Sequence, residues 1–284
     1  MTTSPAVGPG SPPIIYIRPM RRSWRELGIR QILRYHELLY FLVLRTLKLR
    51  YKQTAFGVGW AVLQPLLAML AFTVVFGRFA RLPSEGLPYA VFAYTGLVSW
   101  TYFANSLTSA SSSLVDNERM LTKVYFPRAL LPLAHVIAGL VDLAIALVVL
   151  LGLLLVYDVT PSRNIWALPL FVLFAALTAL ATGLWLSALN VRYRDVRHAV
   201  PFLVQFWLFV TPVAYASSLV PARWHRWYAL NPMVGVVDGF RWSILGRPEL
   251  PIGAAAISAF VMLLILLGGL AYFRSTERTF ADVI

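Results

Sequence analysis

Six stretches of this chain, residues 57–77, 89–114, 129–156, 165–189, 199–216 and 252–273, are apolar over close to or beyond the about 20 residues a helix needs to cross the hydrocarbon of a bilayer. A chain with six such stretches has to place them in lipid, because a water-soluble domain has nowhere to hide so much continuous apolar surface. The composition agrees: hydrophobic residues make up 59% of the 284, and charged residues 13%, about half the usual share of roughly 25%. Within hydrocarbon an isolated segment satisfies its own backbone only as a helix. The expected fold class is therefore an all-α integral membrane protein with six spans. The fifth stretch is the shortest and holds Pro201 and Pro212, so a broken or partly re-entrant helix is expected there.

Basic residues set the orientation. The net charge is +13. In a soluble domain that would suggest nucleic acid; here the cations flank spans, and no nucleic-acid partner is expected. Of the 25 Lys and Arg, 18 fall on one side: the N-terminal region, then Arg119, Lys123 and Arg128, then Arg192, Arg194 and Arg197, then Arg274 and Arg278. The other side has seven, Arg78, Arg81, Arg163, Arg223, Arg226, Arg241 and Arg247. The richer side faces the cytoplasm, which puts both termini inside.

Residues 1–30 read as a flexible, uncleaved cytoplasmic tail: the first 19 carry five prolines and no apolar run of signal-peptide length. Residues 31–52 are apolar but interrupted by charge at helical spacing. Arg30, Arg34, Glu37, Arg45, Lys48 and Lys52 share one stripe, with Ile32, Leu39, Val43 and Leu47 opposite; Arg50 and His36 break the pattern. That is an amphipathic helix in the headgroup region, not a span. Residues 53–284 form the six-span domain. Between the fifth and sixth spans, the outer segment 217–251 reads as two short helices, one opening at Pro221 and one capped by Asn231 ahead of Pro232. Trp224, Trp227, Tyr228 and Trp242 suit an interfacial position there.

The chemistry present is limited. There is no cysteine, which excludes disulfides, thiolate metal sites and thiol nucleophiles. None of the three lysines follows a glycine, so no Walker-type phosphate loop exists, and any ATP drive has to come from a partner. Asp142 is the only acidic residue deep in a span, and His135 lies on the same face. Too few ligands accompany them for a metal. An Asp at the bilayer centre costs about 2.5–3.5 kcal/mol on insertion scales, so Asp142 has to face protein or water, as a structural hydrogen bond or as part of a translocation path. The inner loop 115–128 alternates Asp116, Glu118, Arg119 and Lys123 with Met120 and Leu121, as a docking element for a cytoplasmic partner would, or a solvated turn with interfacial anchors. Near its inner end the second span carries Asn105, Ser106, Thr108, Ser109, Ser111, Ser112 and Ser113, which suits either polar glue between helices or the lining of an aqueous cavity. Trp60, Phe72 and Phe76 on the first span, and Phe202, Phe206 and Phe209 on the fifth, with Gln64 and Gln205 among them, either pack or offer rings on which sugar faces stack.

Arg50-Tyr51-Lys52-Gln53 followed by Gly57, Gly59, Trp60, Gln64 and Pro65 resembles the start of the first span in ABC-2 type permeases that export polysaccharides and polyol phosphates. In the second half of that family similar motifs recur: Asn190, Arg192, Arg194 and Asp195; Thr211-Pro212-Val213; Asn231-Pro232-Met233. The ending Thr276-Glu277-Arg278-Thr279-Phe280-Ala281-Asp282 is similar too, and the likeness runs in order from about Arg45 onward. The resemblance implies a homodimeric permease of the bacterial inner membrane, each protomer binding one cytoplasmic ATPase subunit that holds ATP and Mg, with no cofactor on this chain. The cargo it implies is a polyprenyl-linked O-antigen, capsular polysaccharide or teichoic-acid precursor.

On this reading the chain is a transport subunit and not an enzyme. Arg34, Arg45, Lys48 and Lys52 would meet membrane lipid and the cargo's pyrophosphate. Asp116, Glu118, Arg119, Met120, Leu121 and Lys123 would couple to the ATPase, Met120 and Leu121 anchoring the loop in its cleft. Trp60, Gln64, Phe72, Phe76, Asn105, Phe202, Gln205, Phe206 and Phe209 would line the path. The rivals are an exporter of small lipids or drugs in the same superfamily, a membrane-embedded glycosyl- or acyltransferase, and a non-transporting scaffold.

Overall fold

A computed structural model describes residues 34–52, 59–124, 126–246, 252–277 and 280. The 1–30 tail, Ile32 of the apolar stripe, Gln53, and Arg278 and Thr279 of the terminal motif lie outside the described residues. Among those described, every regular element is helical: α1 (His36–Lys52), α2 (Gly59–Phe72), α3 (Tyr89–Ser112), α4 (Glu118–Lys123), α5 (Leu130–Val156), α6 (Leu168–Arg192), α7 (Val196–Val210), α8 (His225–Tyr228), α9 (Pro232–Leu245) and α10 (Ile252–Glu277). A π-helical turn, Thr73–Phe79, prolongs α2. Among the described residues four helical stretches are long and apolar enough to cross a membrane: Gly59–Phe79, Leu130–Val156, Arg163–Arg192 and Ile252–Glu277.

The most polar of the long helices is the most enclosed. With 24 residues, α3 is about 36 Å long, and it packs against α2, α5, α6, α7 and α9. Several of its hydroxyls are tolerated because they bond back to their own helix: Thr95 to the Val91 carbonyl at 2.8 Å, Thr108 to Ala104 at 2.8 Å, Ser111 to Thr108 at 2.7 Å. Aromatics fill the layer around it. Tyr94 and Phe103 are fully buried, and Phe103 meets Trp207 of α7 edge to face at 5.1 Å. The rim of the bundle carries exposed Val148, Leu155, Leu170, Leu173, Leu264 and Leu267, as a surface solvated by lipid requires.

Two expectations change here. The segment around Pro232 was expected to lie in the outer interface. Instead α9 is buried along nearly its whole length, in contact with α3, α6 and α10. The cap is as expected: Asn231 accepts from the Met233 N–H at 3.1 Å, and Pro232 follows. The burial depends on small residues, since a Cβ on Gly239 would fall 2.0 Å from the Phe171 ring. Trp242 packs edge to face on Phe171 and is partly buried, whereas Trp224 and Trp227 are exposed. The stretch expected to open as a helix at Pro221 is a 3-10 turn, Ala222–Trp224, followed by the single turn α8.

The second change concerns the bounds of the fifth stretch, whose break was expected. Helix α7 starts earlier than expected and stops at Val210, giving 15 residues, about 22 Å. The chain then turns through Thr211 and Pro212 without regular helix. Carbonyls freed by that break need donors inside an apolar bundle, and Arg241 of α9 supplies them. Its guanidinium donates to the carbonyls of Pro212 at 2.6 Å, Val213 at 2.7 Å and Tyr215 at 3.2 Å, and stacks 3.7 Å over the Phe92 ring. A Cβ at position 96 would lie 2.9 Å from that guanidinium and 3.0 Å from the Val213 carbonyl, so any side chain at Gly96 has to displace this arrangement. Arg241, counted from sequence as an outer-loop cation, is 1% exposed. It is a structural residue.

Candidate functional site

A half-open cavity of about 340 Å³ lies between the end of α1 and helices α2, α3 and α5. Trp60, Gln64 and Pro65 of α2 form one wall, Thr101, Tyr102, Asn105, Thr108 and Ser109 of α3 a second, and Asp142 and Leu143 of α5 a third. Arg50 and Tyr51 close it from α1. Three residues expected on a path, Trp60, Gln64 and Asn105, thus meet in one place. Of the two readings of the hydroxyl-rich end of α3, the structure favours the cavity lining: Thr108 and Ser109 face the cavity, while Thr108 and Ser111 bond to the backbone of their own helix and not across to a neighbour.

Asp142 is neither solitary nor paired with His135. One carboxylate oxygen accepts from the Arg50 guanidinium and the other from the Tyr51 hydroxyl, while His135 Nδ1 lies 2.9 Å from the Leu131 carbonyl oxygen one turn back. The pair is half-buried, 27% exposed on Arg50 and 20% on Asp142. Burial first, and then the bond to Asp142, push the Tyr51 phenol up to about 12, so it remains a donor to the carboxylate at neutral pH. Sequence reasoning missed Arg50 and Tyr51. The signal was present, because Arg50 breaks the charged stripe of its own helix and needs an anionic partner elsewhere.

The other aromatic residues separate from this group. Phe72 and Phe76 stack edge to face at 5.3 Å, with Phe72 against the core. Phe202, Phe206 and Phe209, each more than 60% exposed, and exposed Gln205 lie on the outer face of α7 and do not line the cavity.

On α1 the face that carries Leu39, Leu42 and Val43 packs into a cluster with Leu121, Phe126, Leu130, Leu131 and Phe273. That face was expected to meet lipid, and it meets protein. Arg34, Arg45, Lys48 and Lys52 are exposed as the stripe predicts. Arg45, Lys48 and Lys52 border a shallow groove with the apolar Phe41, Leu44 and Leu49. Arg45 also donates to the Asn117 Oδ1 at 2.7 Å, which ties α1 to the inner loop.

That loop is a 3-10 turn, Val115–Asn117, running into α4. Asp116, Glu118, Arg119 and Lys123 are exposed. Leu121 is 6% exposed and Met120 packs beside it in the same inner cluster. The expected role of these two in a partner's cleft is therefore corrected: they seat α4 on its own bundle, and the charged face is the one left outward. Asp116 and Arg197 form an exposed pair at 3.6 Å, of a kind that adds at most about 1 kcal/mol. Among the described residues no three His, Asp or Glu side chains cluster as a metal site would require.

Residues 37–245 match the ABC-2 type transporter family. The chain is 32% identical over 259 residues to the O-antigen export system permease protein RfbA of Myxococcus xanthus, covering 90% of this chain and 98% of that one. It is 27% identical over 249 residues to a protein of the same name from Klebsiella pneumoniae, covering 87% and 95%. It is 20% identical over 243 residues to the polysialic acid transport protein KpsM of Escherichia coli, covering 84% and 92%.

Proposed function

The chain belongs to the ABC-2 type transporter family, and from that premise we propose that it is the permease subunit of an ABC exporter whose cargo is a lipid-linked surface polysaccharide of the O-antigen class. The observation that carries this reading is the likeness to O-antigen export permeases over nearly the full length of both chains. Its relatives are transport permeases, and ATP hydrolysis in such systems falls to a separate subunit.

The working unit in this proposal is a homodimer in the bacterial inner membrane with two copies of a cytoplasmic ATPase, which hold ATP and Mg. Each protomer crosses six times, by α2, α3, α5, α6, α7 and α10, with both termini inside. The asymmetry of 18 basic residues against seven supports the orientation. The length of α3 and its enclosure by neighbours support its inclusion despite the hydroxyls. The exposed aromatics Phe202, Phe206 and Phe209 suit a passage between protomers, with Gln205 among them. At the inner leaflet, Arg34, Arg45, Lys48 and Lys52 would draw the anionic end of the cargo, and the apolar rim of Phe41, Leu44 and Leu49 suits its hydrocarbon. ATP-driven closure of the partner would act on the charged face of α4 through Asp116, Glu118, Arg119 and Lys123, which Met120 and Leu121 hold to the bundle.

Deleting the chain from its own bacterium should remove polysaccharide from the cell surface and leave lipid-linked polymer inside. Surface polysaccharide unchanged by the deletion would sink the cargo assignment. The topology is tested on the cysteine-free background: single cysteines at Arg81, Ser162 and Arg226 should label from outside, and those at Asn117 and Arg194 only after permeabilisation.

A further inference from the structure

The cavity between α1, α2, α3 and α5 has a wall that the passage between protomers does not account for. Among the described residues its charged lining is one cation and one anion, Arg50 and Asp142, and these are already paired. The site therefore has no net charge with which to hold a phosphate, and a phosphate taking Arg50 would leave Asp142 facing a like charge. What the wall does offer is hydrogen bonding in both directions. Each carboxylate oxygen has one donor, from Arg50 or Tyr51, and an ionised carboxylate has about four acceptor positions. Arg50 engages Asp142 through one guanidinium nitrogen, and the group carries five N–H donors. Gln64 and Asn105 add amides that both give and accept. On the α2 wall, one turn before Gln64, stands Trp60, half-exposed.

Gln64 and Asn105 are also exposed on α2 and α3, which the proposed topology puts in the membrane. Left against hydrocarbon they would carry the cost of unsatisfied amides, so something polar has to cover them. An aromatic ring and an amide on the α2 wall, with the paired carboxylate and guanidinium and a second amide on the other walls, match an uncharged pyranose, which has an apolar C–H face and a rim of hydroxyls. The volume of about 340 Å³ is at the small end of the roughly 300–1,000 Å³ of ligand sites, enough for a short stretch of glycan and not for a polymer.

We propose that this cavity is a glycan subsite within each protomer, in which the Asp142–Arg50 pair, oriented by Tyr51, receives hydroxyls of an uncharged sugar residue stacked on Trp60. The proposal rests on the polysaccharide reading and adds to it a place and a chemistry. Asp142 is kept in the span as an acceptor, and Arg50 leaves the stripe of its own helix to hold it.

The test uses the whole permease with its ATPase in cells that make the polysaccharide. A photo-crosslinking benzoylphenylalanine is placed at Gln64 or Asn105 in the cavity, at Phe206 on the α7 face, and at Val148 on the rim as control. The expected result is sugar-bearing adducts at Gln64 and Asn105. Their yield should fall at least tenfold when Asp142 and Arg50 are both changed to leucine, which keeps the net charge. It should fall severalfold with Trp60→Ala, which leaves the ion pair untouched and covers the case of a double variant that fails to accumulate. Adducts at Phe206 with none at Gln64 or Asn105 would overturn the subsite while leaving polysaccharide export standing. Adducts at no position, in cells whose surface polysaccharide survives deletion of the chain, would overturn the export reading itself.

Discussion

Two regions of this molecule put a charged side chain where lipid-solvated helices ordinarily exclude one, and they resolve the problem differently. Arg241 is fully buried and answered by backbone, the carbonyls released where α7 breaks at Val210. Asp142 is half-buried and answered by side chains, Arg50 and Tyr51, from a separate helix at the end of the bundle. A guanidinium locked onto three fixed carbonyls has one arrangement and serves the fold. A carboxylate held by two long side chains at the edge of a cavity can exchange partners without unfolding anything. Burial and the nature of the partner, more than the charge itself, separate a structural ion from one available to a ligand.

The contrast is sharpest in stability. Arg241→Met should leave the Pro212, Val213 and Tyr215 carbonyls short of donors and cost more than about 3 kcal/mol. The expected outcome is loss of protein from the membrane, read by immunoblot and by melting in detergent. Arg241→Lys should recover only part, since an ammonium does not present the planar fork that spans these acceptors. If Arg241→Met accumulates and melts like wild type, the two regions do not differ as argued.

Gly96→Val ranks next. Its side chain enters space within 2.9 Å of the guanidinium and 3.0 Å of the Val213 carbonyl, so a cost of about 1–3 kcal/mol is expected from overpacking, again measured by melting.

Asp142→Asn should cost less, about 1–2 kcal/mol, because Tyr51 keeps an acceptor and Arg50 is partly solvated. Export should nevertheless fall severalfold. A stability loss equal to that of Arg241→Met would erase the distinction between the sites.

Reversing Glu118 and Arg119 together should leave melting within about 0.5 kcal/mol of wild type, because both are exposed on the outward face of α4. In the proposed coupling, export and the response of the ATPase to cargo are lost all the same. Unimpaired export would move the coupling contact to residues 190–198, where α6 gives way to α7, or to the C-terminal tail.

The sequence by itself determined that this chain is a helical membrane protein, where its long helices run to within a few residues except at the fifth stretch and after Pro221, and that α1 carries an exposed cationic stripe. These follow from local properties: apolar length, helical periodicity and the Asn231 cap act within a few turns of chain. It also placed Trp60, Gln64 and Asn105 among the polar or aromatic residues of spans. What it could not supply was pairing across elements. Arg50 and Asp142 are 92 positions apart, and Arg241 finds acceptors 26 to 29 positions away. Only the packing of α9 into the bundle turns an apparent loop cation into a buried strut. Only the docking of α1 on α5 turns an irregularity in a stripe into half of an ion pair, and turns the apolar face of α4 inward instead of toward a partner. Tertiary structure decided these points because a charge in an apolar medium takes whichever partner the folded chain brings within reach, and reach is a property of the packed helices and not of the order of residues.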